Sequence, residues 1–362
     1  MTQVHINLQQ ELDALELDAA FLLKPQNVFY LAGYASVCSG LILARDQEPA
    51  FCTLWLDAPE AKRVCRLSRV NTYVFPQQSL VGRMIGLLRK TGVPEPRRIG
   101  VEKDFMVARQ YEMLTSEFPQ AELVHITPVV DRLRAVKTPE ELGYIREAAE
   151  IADQAMNAAL AAVAPGVSEL EVAAEAEYVM RKAGSLRPAF GTFVASGERT
   201  LLAHPHASPR RMQPGEAVVI DLGAVVAGYS SDLCRTTFVG APSPAQRDRL
   251  RLVFQAQEAA AEALRPGARA GEVYEAARQV FASQNLQNLL PADLGYGVGL
   301  RQSEFHPVIE QNSTTELREN MVVALMQTTA YDRKIGGLRV EDTFWISQKG
   351  SVRLTKHRQD LY

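Results

Sequence analysis

The sequence has few cysteines, no long apolar run and no excess of charge of either sign, and each shortage removes a class of protein. Cys38, Cys52, Cys65 and Cys234 are the four cysteines among 362 residues. None forms a C-x-x-C pair, and a chain of this length buries enough surface to fold without disulfides. Reduced thiols and a cytoplasmic location are therefore expected. No stretch approaches the roughly 18 apolar residues that a membrane span requires. Met1 to Leu17 is polar and acidic with helical spacing, lacking the basic start and apolar centre of a signal peptide. Lys and Arg number 39 against 42 Asp and Glu, a formal charge of −3. No basic block stands ready to hold a phosphate backbone, so neither nucleic acid nor a membrane is expected as a partner.

What is present fits two domains with real cores, since 47% of the residues are hydrophobic. From Leu8 to about Thr127, short apolar runs alternate with helical stretches. Ala19 to Leu23, Gly40 to Ala44 and Ala50 to Leu54 are each short enough for buried strands, and Leu80 to Lys90 has apolar residues at helical spacing. This predicts an α/β domain over residues 1–127. Thr138 then reads as the N-cap of a long Ala-rich helix opened by Pro139, Glu140 and Glu141. The boundary is placed near 128, with a second domain over 128–362.

That second domain carries an internal repeat. Pro165-Gly166, Glu171-Val172 and Ala176 are matched 101 positions later by Pro266-Gly267, Glu272-Val273 and Ala277. Two related halves facing each other would place a site between their sheets. In the first half, the apolar run Ala217 to Ile220 ends in Asp221-Leu222-Gly223, and Asp232 precedes a second apolar run from Leu233. Across a hairpin turning at Gly228 these carboxylates converge, and they repel each other unless a cation or a shared proton intervenes. An isolated Asp at a strand end is more often a turn or cap residue.

The words around these acids resemble those of the superfamily of Xaa-Pro dipeptidase, aminopeptidase P, methionine aminopeptidase and creatinase. Asn27-Val28-Phe29-Tyr30-Leu31-Ala32-Gly33-Tyr34 is similar to its N-domain signature, and Arg134 to Lys137 through Ile145-Arg146 to its entry into the catalytic domain. Val194 to Gly197, His204, Asp221-Leu222-Gly223, Asp232 and Gly337 to Asp342 follow in family order. The resemblance covers nearly the whole chain. It implies a mixed α/β (α+β) fold, with a creatinase-like N-terminal α/β domain ahead of a duplicated "pita-bread" domain, and a homodimer in which each N-domain borders the partner's active site.

The resemblance puts the family's five metal ligands, Asp, Asp, His, Glu and Glu, at Asp221, Asp232, Tyr296, Met326 and Glu341, so two positions are changed. Tyr296 could ligate only as a phenolate, from a starting pKa of about 10. Met326 offers a neutral, soft thioether that suits hard or borderline divalent ions poorly. A dinuclear centre is therefore not expected, and no cofactor is the first expectation. A single divalent metal (Mn, Zn or Co) on Asp221, Asp232 and Glu341 is the alternative.

His204 stands where the family keeps a substrate-facing His, and in creatinase that His transfers protons, work that suits an imidazole near neutral pH. The expected activity is hydrolysis of a C–N bond, amide or amidine, in a small cationic substrate or a dipeptide, without a dinuclear metal centre. His204, Asp232, Glu341 and Tyr296 are the catalytic candidates, with Asp221, Arg339, His206, Met326 and His306 binding substrate. An Xaa-Pro peptidase with one metal ion, and a binding protein that has kept the fold without the catalysis, are the alternatives. Bland readings stand beside these: His204 as a loop residue, Arg339 paired with Glu341 or Asp342, Tyr296 packed on Met326, and Cys234 as a nucleophile disfavoured by its acidic neighbours.

Overall fold

The computed structural model describes residues 3–326 and 330–357. Its contacts divide the chain into Met1–Arg134 and Ala135–Tyr362. The division falls at the end of a helix, Thr127–Ala135, against the expected boundary near 128.

In the first unit the elements run α1 (Gln3–Ala14), β1 (Ala19–Leu22), α2 (Pro25–Ala32), β2 (Gly40–Ala44), β3 (Ala50–Leu54), α3 (Ala58–Val64), β4 (Arg69–Tyr73), α4 (Leu80–Leu88), β5 (Arg98–Val101), α5 (Ala108–Glu117), β6 (Glu122–His125) and α6 (Thr127–Ala135). The strands form one sheet in the order β4-β3-β2-β1-β5-β6. The apolar runs Ala-Ala-Phe-Leu and Gly-Leu-Ile-Leu-Ala become its inner strands because a strand covered on both faces has no polar face to show, and every residue of β1 and β2 is buried.

The Asn27 to Tyr34 word has a structural explanation in this unit. Glu102, fully buried, accepts hydrogen bonds from the amides of Leu23 (2.5 Å) and Lys24 (2.6 Å) and from Asn27 Nδ2 (2.5 Å). Arg134 in turn donates to Asn27 Oδ1 at 2.7 Å. Burial pushes the Glu102 carboxyl up to about 7 against the downward pull of these donors. Glu102→Gln would turn an amide NH2 toward one of three donors, and it is expected to cost about 1–3 kcal/mol of stability. Urea unfolding of variant and wild type at one pH reads the difference, and coincident midpoints would mean that the network is not needed.

The second unit contains the predicted duplication. Its first half has α7 (Pro139–Ala162), α8 (Glu169–Lys182), β7 (Phe193–Ser196), β8 (Ala217–Leu222), β9 (Val225–Val226), β10 (Tyr229–Ser230) and β11 (Leu233–Phe238). Its second half has α9 (Pro244–Ala263), α10 (Ala270–Ala282), β12 (Asp293–Gly297), β13 (Glu304–Glu310), β14 (Val322–Leu325), β15 (Ala330–Asp332), β16 (Gly336–Leu338), β17 (Asp342–Ser347) and β18 (Gly350–Arg353). The leading helix of each half opens in the same way. Thr138 and Ser243 are N-caps with Pro at the start of the helix and a reciprocal capping box to Glu141 and Gln246. The turns between paired helices match as well, with Gly166 at φ +83° and Gly267 at φ +82°, backbone that glycine adopts without a Cβ penalty.

Two cores fill the unit, the second reaching into the first half at Ala217 and Phe238. One packs α7 and α8 residues such as Ala152, Met156 and Val172 on Val218 and Ile220 of β8. The other packs Val253, Val273 and Phe281 on Val323 and Phe344. The sheets, β11-β8-β7 and β13-β12-β14-β17-β18, belong to halves that are tied at several points, Thr236 with Arg339 and Thr200 with Gly337 among them. Cys234 and Glu341 exchange backbone hydrogen bonds of 3.2 and 3.0 Å, and Thr343 Oγ1 both accepts from the Asp232 amide (3.0 Å) and donates to its carbonyl (2.8 Å). No described helix is long and apolar enough to cross a membrane.

Candidate active site

The junction between the two sheets brings the acids together. Asp221 ends β8 opposite Cys234 of β11, Asp232 immediately precedes β11, and Glu341 immediately precedes β17. Gly223 allows the hairpin to close this tightly, because the Ser231 carbonyl oxygen lies 2.1 Å from where a Cβ would stand. One ligand oxygen from each of Asp221, Asp232 and Glu341 falls within 4.8 Å of the others, and all three residues are buried. Among the described residues, Asp221 Oδ1, Asp232 Oδ1 and both Glu341 carboxylate oxygens have no hydrogen-bond partner.

Such an arrangement is electrostatically unbalanced. Burial first, and then the charge of Asp232, push the Asp221 carboxyl well above the usual carboxylate range, with Arg339 partly opposing. Burial and then the charges of Asp232 and Asp221 do the same to Glu341. Asp232 rises only to about 6, because donors from Tyr296 and Gln302 offset its burial. Buried carboxyls in this state take up either protons or a cation. The donor set fits one divalent cation: hard oxygen ligands, three separate carboxylates, a common focus and no competing donors on the inward oxygens.

The opposite edge of the cluster is already occupied by protein. Tyr296, on β12, donates its hydroxyl hydrogen to Asp232 Oδ2 at 2.7 Å, and Met326 Sδ lies 2.8 Å from the same hydroxyl oxygen. Gln302 Nε2 donates to Asp232 Oδ2 at 2.9 Å and to the Tyr296 hydroxyl. Burial, followed by the charges of Asp232, Glu341 and Asp221, raises the Tyr296 phenol well above its ordinary value. Tyr296 is thus a neutral donor here. The expected packing of Tyr296 on Met326 and its expected hydrogen bonding occur together.

Over the cluster opens a cavity of about 170 Å³, lined by Phe190, Phe193, Ala203, His204, Asp221, Tyr296, Gln302, Ser303, Met326, Tyr331 and Arg339. His204 is exposed at this cavity, its ring edge-on to Phe193 with centroids 6.0 Å apart. Arg339 is buried in the wall. It donates to the carbonyl of Ala203 at 2.9 Å and to that of Leu202, and its guanidinium lies 5.8 Å from the Tyr331 ring centroid. Asp342 is taken instead by Arg235, at 2.7 Å, so Arg339 is not spent on either acid beside it.

Four candidates are not among the lining residues: Asp232 and Glu341, fully buried in the acid cluster, and the histidines His206 and His306. His206 pairs through the backbone with Phe193 and packs edge-on against that ring at 4.9 Å. His306 is a half-buried residue of β13, two positions beyond Glu304, which is buried with Lys137 3.6 Å away. Cys234 is buried, and its thiol is pushed well up by burial and then by Asp221 and Glu341, so it is not poised as a nucleophile. Gln302 and the aromatic wall of Phe190, Phe193 and Tyr331 were not anticipated. A loop glutamine carries no periodic signature, and its partner Asp232 is 70 residues away in sequence.

Comparison with known proteins follows the same outline. Residues 143–348 match the metallopeptidase family M24, and residues 6–136 match the creatinase/prolidase N-terminal domain. The Xaa-Pro dipeptidase of Pyrococcus furiosus is 35% identical over 350 residues, 97% of each chain. The crystal structure of the prolidase from Pyrococcus horikoshii OT3 superposes with a TM-score of 0.92 at 32% identity over 100% of both chains, and that of the Pyrococcus furiosus prolidase with 0.89 at 34% identity over 97% of this chain and 100% of that one. A metallopeptidase family membership removes the ground for expecting no cofactor, which was the first reading of the changed ligand positions. The chain belongs to metallopeptidase family M24, within the superfamily of Xaa-Pro peptidases and creatinase, and is a hydrolase of C–N bonds with the pita-bread fold.

Proposed function

We propose that this chain is a dipeptidase that cleaves the peptide bond of short Xaa-Pro substrates in the cavity above Asp221, Asp232 and Glu341, which hold a divalent cation. The observation that carries the reading is the convergence of Asp221, Asp232 and Glu341, one oxygen of each within 4.8 Å of the others, with four of their buried oxygens lacking a hydrogen-bond partner. The Pyrococcus dipeptidases to which the chain is similar supply the substrate class. When bound, the cation polarises a carbonyl oxygen and lowers the pKa of a coordinated water. At about 170 Å³ the cavity is below the roughly 300 Å³ at which sites for drug-sized ligands begin, so it admits a short substrate end and not an extended polypeptide.

The side chains divide the remaining work. Arg339, tied to two carbonyls, sets a fixed positive charge in the wall, which suits the carboxylate of a dipeptide. His204, at the cavity's exposed side, takes a proton from the attacking water as the water oxygen bonds to the carbonyl carbon and returns it to the departing amine nitrogen as the C–N bond breaks. His204→Ala is expected to lower kcat by about 10²–10⁴-fold. Its exposed position predicts a stability change within about 0.5 kcal/mol. Proline release from a panel of Xaa-Pro dipeptides, by protein supplied with Mn, Co or Zn, is the direct test. Absence of turnover with every metal and every dipeptide would overturn the assignment.

The same four oxygens favour a second occupant, the ammonium or guanidinium of a cationic substrate working with His204 and no metal. Calorimetry distinguishes the two: the dipeptidase reading requires a divalent ion to bind, whereas affinity for guanidinium or amidinium compounds with none for divalent ions would support the alternative.

A further inference from the structure

We infer that Tyr296, Gln302 and Met326 make this a centre for one divalent ion, with the Tyr296 hydroxyl and the Gln302 amide standing where a second cation would otherwise sit against Asp232. The inference rests on the proposal that the acid cluster holds a cation. It starts from the unequal treatment of the two Asp232 oxygens. Oδ1 has no hydrogen-bond partner, while Oδ2 receives two donors, Tyr296 at 2.7 Å and Gln302 at 2.9 Å.

The donors are fully committed. A glutamine amide has two hydrogens, and Gln302 directs one to Asp232 and one to the Tyr296 oxygen. The phenol has one hydrogen, and the carboxylate, as the charged acceptor, takes it in preference to the thioether at 2.8 Å. A cation approaching Oδ2 would face three polarised hydrogens and a neutral sulfur. Neither a hydroxyl engaged with Asp232 and Gln302 nor a neutral thioether offers the charge or hardness that a divalent ion would need there. Tyr296 and Gln302 therefore satisfy Oδ2 by hydrogen bonding where a second ion would otherwise do so, with Met326 against the Tyr296 hydroxyl, and they leave Oδ1 without a donor. Gln302 is a positioning residue in this scheme, acting on the centre through Asp232 and Tyr296.

Metal counting tests this without reference to activity. Purified wild type is saturated with Mn²⁺, desalted and measured by inductively coupled plasma mass spectrometry, with Mn²⁺ electron paramagnetic resonance on the same samples. The expected result is one ion per chain and the six-line signal of an isolated Mn²⁺. The variant Tyr296→His/Gln302→Ala/Met326→Glu, which removes the donors and supplies an imidazole and a carboxylate, is expected to bind two ions and to show an exchange-coupled signal. Two ions in the wild type would overturn the inference and leave the dipeptidase proposal standing. No ion in the wild type would remove the metal-site proposal itself, and the inference with it. A folded variant still holding one ion would show that these side chains are not what excludes the second. If the variant does not fold, the wild-type count and signal still decide.

Discussion

Glu341→Gln is expected to empty the site of its cation and to reduce turnover of an Xaa-Pro dipeptide by about 10³-fold or more, with the fold retained. Glu341 has an oxygen within 4.8 Å of one from Asp221 and one from Asp232, and neither of its oxygens has a hydrogen-bond partner, so on the proposed reading its negative charge serves the cation. Stabilisation of transition-state charge by a bound ion is worth several kcal/mol, and each 1.36 kcal/mol is a factor of ten in rate. The substitution keeps the shape of the side chain and removes one of three mutually repelling buried charges. The metal-free variant should accordingly be no less stable than the metal-free wild type. Metal content, steady-state kinetics and thermal unfolding measured on the same preparation check the three statements together. Retained metal with full activity would show that Glu341 is a bystander, and a collapse in stability would show that its part is structural.

The opposite profile is expected one residue later. Asp342→Ala should destabilise the second unit by about 3–5 kcal/mol, because it leaves the Arg235 guanidinium buried without its counter-ion. Arg235 and Asp342 are buried and 2.7 Å apart, and the same Asp342 oxygen accepts from Thr355 at 2.7 Å. Arg235 also donates to the carbonyls of Cys234, Glu341 and His357 at 2.7–2.8 Å. The pair thus holds the junction where Glu341 enters the site. Chemical denaturation resolves a loss of this size, and a change below about 1 kcal/mol would mean that the pair contributes no more than an exposed one. Adjacent acids on one strand end therefore have separate duties: Glu341 faces the cavity floor, and Asp342 locks the strand that carries it.

Much of this could be read along the chain because the forces involved are local. Thr138 is separated by three residues from Glu141, the spacing of a capping box, and the two bond reciprocally in the structure. Ala19 to Leu22 and Ala50 to Leu54 are apolar because both faces of their sheet are covered. The convergence of Asp221 and Asp232 was legible from two strands and the Gly228 turn between them, since antiparallel pairing sets which residues meet. The order of the motifs placed Tyr296, Met326 and Glu341 as well. Even so, it suggested no cofactor, because changed residue types at two positions say nothing about how the remaining oxygens point.

By itself, then, the sequence determined the two-part α/β architecture, the internal duplication and the acids that would form the site. Periodicity, caps and turns act over a few residues and leave their mark in the order of the chain. Only the tertiary structure decided what the site can hold. That depends on contacts such as Gln302 to Asp232, Arg235 to Asp342 and Arg339 to the Ala203 carbonyl, which join residues 70, 107 and 136 positions apart. The packing of the two cores sets such directions, and hydrogen-bond geometry then leaves some Asp232 and Glu341 oxygens without partners while Asp232 Oδ2 receives two donors.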